Sequence, residues 1–311
     1  MAVGAFGQAS PVLYNPTRSI KDQGISLSGW GSGTASETDE TAYEGTTSVR
    51  ISSRNYFQGG IFELKNPVDV SGQYSNKNNL LRIMFKTADL GTVFSGAGKG
   101  PGLAGGPPSK GGAGGLPPGF GGPGAPGGFA GGGRPGGSTQ PASTLDTLRV
   151  IVTTTDGKKS EAYVPVTGIV AGSDGWKSVA VPLQAISGLD RTNKIVKEVA
   201  ISADKTSTFY IGDIRVLNDS TPISGEIQGQ TQFNLALGDP VTFVASGSGG
   251  STPVKFDWDF DDRDGIQVDA EGQTVKRRFR VPGTYNVTLT VVDPFGLKAP
   301  FSTKAKVVVN G

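Results

Sequence analysis

The chain has 311 residues, enough for two domains of ordinary size. It carries 29 Lys and Arg against 27 Asp and Glu, a net charge of +2, and no long basic run, which argues against a nucleic-acid partner. Cys and His are both absent, which excludes Ser-His and Cys-His nucleophiles, His-bound metals and disulfides.

No stretch approaches the 18 or so consecutive apolar residues of a membrane span. Residues 1–10 lack the basic start and apolar run of a secretory leader. If the protein works outside the cell, the leader is expected to be removed or not shown. Without disulfides, stability there must come from β packing or bound Ca²⁺.

Residues 1–20 read as an N-terminal arm. Within it Val12, Leu13 and Tyr14 could add a strand to a neighbour's sheet edge, or simply fray. From 21 to 218, helical periodicity is nearly absent. Short β-branched or alternating runs predict strands over 48–52, 60–64, 80–87, 148–155, 160–165, 177–181, 196–202 and 208–217. That rhythm predicts a sandwich or barrel.

A Gly/Pro-rich insert, 96–140, interrupts this domain. Residues 96–137 hold 21 Gly and 8 Pro among 42 positions. No strict Gly-X-Y period exists, so collagen is excluded. Such a stretch is either a flexible loop or an assembly element, with Phe94, Phe120 and Phe129 as anchors in neighbouring subunits.

A polar punctuation, Asn218-Asp219-Ser220-Thr221-Pro222, precedes a second domain over 221–311. Strands are predicted at 233–237, 241–246, 254–260, 273–279, 283–292 and 301–309, the rhythm of an immunoglobulin-like sandwich. Trp258 and Phe260 alternate with Asp257, Asp259 and Asp261, so the aromatics are expected to face the core. The acidic cluster, including Asp264, is expected to cap turns; the alternative is Ca²⁺ held by Asp259, Asp261 and Asp264.

Lys255-Phe256-Asp257-Trp258-Asp259-Phe260-Asp261-Asp262 and, later, Phe279-Arg280-Val281-Pro282-Gly283-Thr284-Tyr285-Asn286-Val287-Thr288-Leu289-Thr290-Val291-Val292-Asp293 carry a resemblance. Together they resemble the polycystic kidney disease (PKD) domain family, with Asp261 in place of the family's Gly. In the first domain, Gly45-Thr46-Thr47-Ser48-Val49-Arg50-Ile51, Gly175-Trp176-Lys177-Ser178-Val179 and Phe209-Tyr210-Ile211-Gly212-Asp213-Ile214 resemble the galactose-binding-like jelly rolls. Closest are family 11 carbohydrate-binding modules and the intermediate-associated protein 30 group. The overall expectation is an all-β chain, a jelly roll followed by an immunoglobulin-like sandwich.

The jelly-roll resemblance implies a structural Ca²⁺ at Asp213, with Glu44 or Glu40 opposite, although Gly212 stands where a second Asp is usual. It also implies glycan binding on exposed aromatics. Candidates are Tyr56, Tyr74 and Tyr163, with Phe57 beside them, whereas Trp176 is expected in the core. No paired catalytic carboxylates are recognisable, so an enzyme is not expected. Two functions follow. One is an extracellular structural or adhesive subunit, self-associating into a filament, layer or matrix. The alternative is a carbohydrate-binding module that takes a polysaccharide.

Overall fold

The computed structural model describes residues 10–88, 145–167, 169–265 and 267–311. Among them no helix is long and apolar enough to cross a membrane.

The first domain is a sandwich of two antiparallel sheets. One contains β1 (Val12–Tyr14), β3 (Thr34–Thr38), β4 (Ser48–Ser53), β6 (Asn79–Thr87), β9 (Lys177–Pro182) and β11 (Ser207–Asn218). Its order is β3-β4-β11-β6-β9, with β1 also on β11. The other contains β2 (Ile25–Trp30), β5 (Gly59–Asp69), β7 (Thr147–Thr154), β8 (Lys159–Pro165) and β10 (Ile195–Ala203), in the order β2-β5-β10-β7-β8. A four-residue helix, α1 (Ser71–Tyr74), follows β5.

The strand runs read from the sequence are all present, because each offers one apolar face to the space between the sheets. Val49, Ile51, Ile83, Phe85, Phe209 and Ile211 meet Phe62, Leu148, Val150, Val199 and Ile201 there, all buried. Out-facing positions alternate with these: Ile61 and Glu63 on β5, Arg149 and Ile151 on β7, Glu161 and Tyr163 on β8.

The N-terminal arm differs from its expectation. Val12 and Tyr14 pair with Arg215 and Ile214 of β11, within the chain's own sheet. Leu13 and Tyr14 are buried in the first core. The reason is local. β4 borders β11 only from Ser207 to Ile211, so the rest of that edge is open, and β1 takes it up after a bulge at Gly212. Tyr14 is therefore buried and not available as an assembly residue, while Val12 stays exposed but is paired within its own sheet. Phe94, Phe120 and Phe129 lie outside the described residues.

The second domain pairs a three-stranded sheet with a five-stranded one. The first is β12 (Ser224–Ile227), β14 (Pro240–Ser248) and β17 (Thr274–Arg278), with β17 at an edge. The second holds β13 (Gln232–Ala236), β15 (Lys255–Asp259), β16 (Ala270–Glu271), β18 (Gly283–Val292) and β19 (Phe301–Asn310). Its order is β13-β19-β18-β15-β16, and β13 alone runs parallel to its neighbour. Trp258 and Phe260 face the core as expected, packed on Phe243. The indole of Trp258 donates to the Gly272 carbonyl at 2.8 Å, which satisfies its one polar atom.

Between the two domains Asp219 accepts the Thr221 and Ser251 N–H groups at 2.9 and 2.5 Å. Lys298 donates to the carbonyls of Thr221 and Gly249, each at 2.7 Å. Burial works against charge on Asp219, but these N–H donors and Lys298 prevail and hold its pKa at about 2.

Candidate functional site

The turn between β4 and β5 carries two aromatics in succession, Tyr56 and Phe57. Asn55 shapes it: its side chain accepts the Phe57 N–H at 2.9 Å, an Asx turn that lifts Phe57 outward. Phe57 is 68% exposed, the highest value among the described aromatics. A single exposed apolar residue is ordinary, but a ring this exposed beside a second exposed aromatic, Tyr163, makes a candidate contact surface.

Arg149 and Tyr163 lie directly opposite each other on β7 and β8, and Ser202 of β10 flanks Arg149 on its other side. Arg149 is fixed by three contacts. Its Nε donates to Glu161 at 2.7 Å and its Nη2 lies 2.5 Å from the same carboxylate. Its Nη1 donates to the Tyr56 carbonyl at 2.9 Å. The Ser202 hydroxyl donates to that carbonyl too, at 2.8 Å. The guanidinium then sits 5.2 Å from the Phe57 ring centroid and 5.9 Å from that of Tyr163. Tyr56 meets Tyr163 edge-on at 5.1 Å.

The result is a small platform at one end of the five-stranded sheet. Two exposed rings, Phe57 and the 45% exposed Tyr163, flank a hydrogen-bonded guanidinium, with the Glu161 carboxylate alongside. Flat apolar rings beside fixed polar groups match a pyranose, which has an apolar C–H face and a rim of hydroxyls.

Of the residues picked from sequence, Tyr56 and Tyr163 come together here, and Phe57 joins them. Tyr74 does not. It belongs to α1, beyond the far end of β5, on the order of 30 Å along the strand from the turn. There its ring takes the Lys194 ammonium at 4.8 Å and packs partly on the core. Arg149 was not singled out in sequence. Its only signal there is an out-facing position in an otherwise apolar strand.

The implied Ca²⁺ positions do not fit the donors present. Asp213 is fully buried, and its carboxylate is taken by Arg82 at 2.5 Å and Arg215 at 2.5 Å. Two guanidinium groups supply the positive charge that a cation would bring. Glu44 is exposed and does not share this carboxylate's hydrogen bonds. Glu40 instead accepts from the Tyr210 hydroxyl, and burial together with that bond pushes the phenol up to about 12. Trp176 explains Gly212: a Cβ there would lie 2.4 Å from Tyr43 Cβ and 2.8 Å from the Trp176 ring, so no Asp fits. Trp176 itself is buried, as expected, and donates to the Ala42 carbonyl at 3.2 Å.

In the second domain Asp259 and Asp261 cap turns, whereas the Asp264 carboxylate does not. Asp259 accepts the Asp261 N–H at 2.9 Å and the Gln267 N–H at 3.4 Å. Asp261 binds Arg263 through two bonds of 2.7 Å, and this holds its carboxyl below the usual range. Asp264 does not join these two at one centre. No group of three acidic residues among the described ones is placed to hold a metal.

Known proteins give the following likenesses. No curated protein matches the chain. Among solved structures, the C-terminal family 22 carbohydrate-binding module of Clostridium thermocellum Xyn10B is 11% identical, covering 68% of this chain and 96% of that one, with a TM-score of 0.31. The CBM22-1 xylan-binding domain of Paenibacillus barcinonensis Xyn10C is also 11% identical, covering 68% and 92%, with a TM-score of 0.32. Residues 222–309 match the family model of the PKD domain, so the second sandwich, built on Trp258 and the strand of Tyr285, belongs to that family.

Proposed function

We propose that the chain is a polysaccharide-binding protein that works outside the cell and engages its ligand through the Phe57–Arg149–Tyr163 platform. The carrying observation is that Phe57 and Tyr163 stay exposed while the guanidinium between them is fully engaged by Glu161 and Tyr56. A fixed, pre-ordered site loses little entropy on binding. The PKD domain is then a second module on the same chain.

The test is affinity electrophoresis and calorimetry against neutral polysaccharides, comparing the native chain with the double variant Phe57→Ala/Tyr163→Ala. Binding to one class of glycan, weakened at least about tenfold in the variant, supports the reading. Equal binding by both proteins, or no binding to any glycan on an array, removes it.

A further inference from the structure

β17 is an edge strand, and it carries Lys276, Arg277 and Arg278, with Arg280 two residues on, all exposed. None of the ion pairs among the described residues involves any of the four. Arg278 has one acceptor, the Gly238 carbonyl at 2.7 Å. Lys276, Arg277 and Arg280 have no side-chain acceptor among the described residues.

Arg277 is the unusual one. Strand side chains alternate, so it shares a face with Val275, which is buried in the core. It thus occupies the end of a core-facing row. There its guanidinium lies 4.9 Å from the Phe260 centroid and 6.0 Å from that of Phe279. Phe279 stacks on Tyr285 at 4.5 Å, and Tyr285 takes Arg263 at 4.6 Å. One ladder therefore holds two guanidinium groups. Arg263 is ion-paired with Asp261 at 2.7 Å; Arg277 makes no such contact, although it is near enough to help lower the Asp261 carboxyl.

This ladder walls a cleft of about 1000 Å³. The exposed Asp264 carboxylate, on the turn Asp262–Asp264, lines the same cleft and has no partner among the described residues. Cations on a sheet edge deter unwanted strand pairing. That accounts for Lys276 and Arg278. It does not call for a stacked guanidinium in a cleft beside a second, already neutralised one.

The free groups define a ligand. Ring-backed guanidinium presents its N–H edge to carboxylate, and Lys276 and Arg280 add charge. Asp264 requires a hydroxyl or another neutral donor. An acidic peptide meets the cations but brings further carboxylates towards Asp264. A uronic-acid sugar carries carboxylate and hydroxyls on one ring, so it suits both the cations and Asp264. We propose that this cleft of the PKD domain binds a carboxylate-bearing polysaccharide, a polyuronate, as a site separate from the aromatic platform of the first domain.

The test uses the full chain and an oligogalacturonate, by calorimetry at low and moderate salt. The native chain is expected to bind it, and less tightly as salt rises. Lys276→Gln/Arg280→Gln alters only exposed, partnerless side chains and is expected to weaken binding about tenfold. Arg277→Lys, which keeps the charge but loses the planar fork, is expected to weaken it several-fold, as is Asp264→Ala. Phe57→Ala/Tyr163→Ala is expected to leave it unchanged, which separates this site from the platform. The proposal fails if the oligogalacturonate does not bind, or if it binds all the PKD-domain variants as it binds the native chain. It also fails if the platform variant loses uronate binding, or if polyglutamate binds equally well and Asp264→Ala has no effect.

Discussion

Arg149 on β7 donates to the main-chain carbonyl of Tyr56 at 2.9 Å, so a strand residue holds the turn that displays Phe57. The two are 93 residues apart in sequence. Arg149→Lys keeps the charge but cannot span Glu161, Tyr56 and both rings. It is expected to cost about 1–2 kcal/mol of stability and to weaken glycan binding about tenfold. Denaturant unfolding and calorimetry read the two effects separately. A change in binding alone would mean that Arg149 contacts the ligand and does not hold the turn.

Asp213→Asn leaves Arg82 and Arg215 facing a neutral amide in a buried setting. Breaking such a pair costs about 3–5 kcal/mol. Because the two guanidinium groups already meet the carboxylate, a chelator is expected to leave the thermal midpoint of the native chain unchanged. A fall in that midpoint with chelator would restore the case for bound Ca²⁺.

Asp219 makes stability depend on acid. Its folded pKa of about 2 lies below its ordinary value of 3.8. The sign follows from proton counts: the unfolded chain binds the proton first, so the contribution is full above about pH 4 and is lost as pH falls towards 2. The shift corresponds to about 2 kcal/mol. Asp219→Asn is expected to flatten the stability curve in that window and to lower it above. Parallel curves for the two proteins would show that the carboxylate is not the group involved.

Gly212→Ala places a methyl against Tyr43 and the Trp176 ring. Overpacking there is expected to cost about 1–3 kcal/mol, read from the thermal midpoint. An unchanged midpoint would mean that the Trp176 packing is loose.

The strands with one apolar face were legible in the sequence, and so was the core role of Trp176, Trp258 and Phe260. β2 and β3 were not. Ile25–Trp30 and Thr34–Thr38 are edge strands rich in Ser, Thr and Gly, and their sequences lack a regular buried face. The platform was half legible. Tyr56 and Tyr163 stand out as aromatics in polar surroundings, but their meeting depends on register. The β7–β8 hairpin sets Arg149 against Tyr163, and Ser202 of β10 brings in the turn that links β4 to β5. Tyr74 failed for the same reason: residue type is visible in one dimension, whereas position along β5 is not. The Ca²⁺ reading of Asp213 could not see Arg82 and Arg215, which reach its carboxylate only through cross-strand pairing and a bulge.

Removing residues 1–14 is expected to unseat Leu13 and Tyr14, each worth about 1.5–3 kcal/mol of burial, and to leave the β11 edge unpaired. The midpoint should fall sharply, with a rise in aggregation seen by light scattering. An unaffected monomer would mean that β1 is ornamental.

That strand also sets a timetable. Tyr14 pairs with Ile214, so the first strand made waits for the last strand of its domain. At about 5–20 residues per second, the intervening 200 residues take roughly 10–40 s to synthesise. The contacts of the arm within the first domain are therefore among the last to form, and a growing chain carries an unpaired β1 until β11 has been made. Completion of the first domain waits for β11, and throughout this interval the unpaired β1 is open to the finished β11 edge of a second chain nearby.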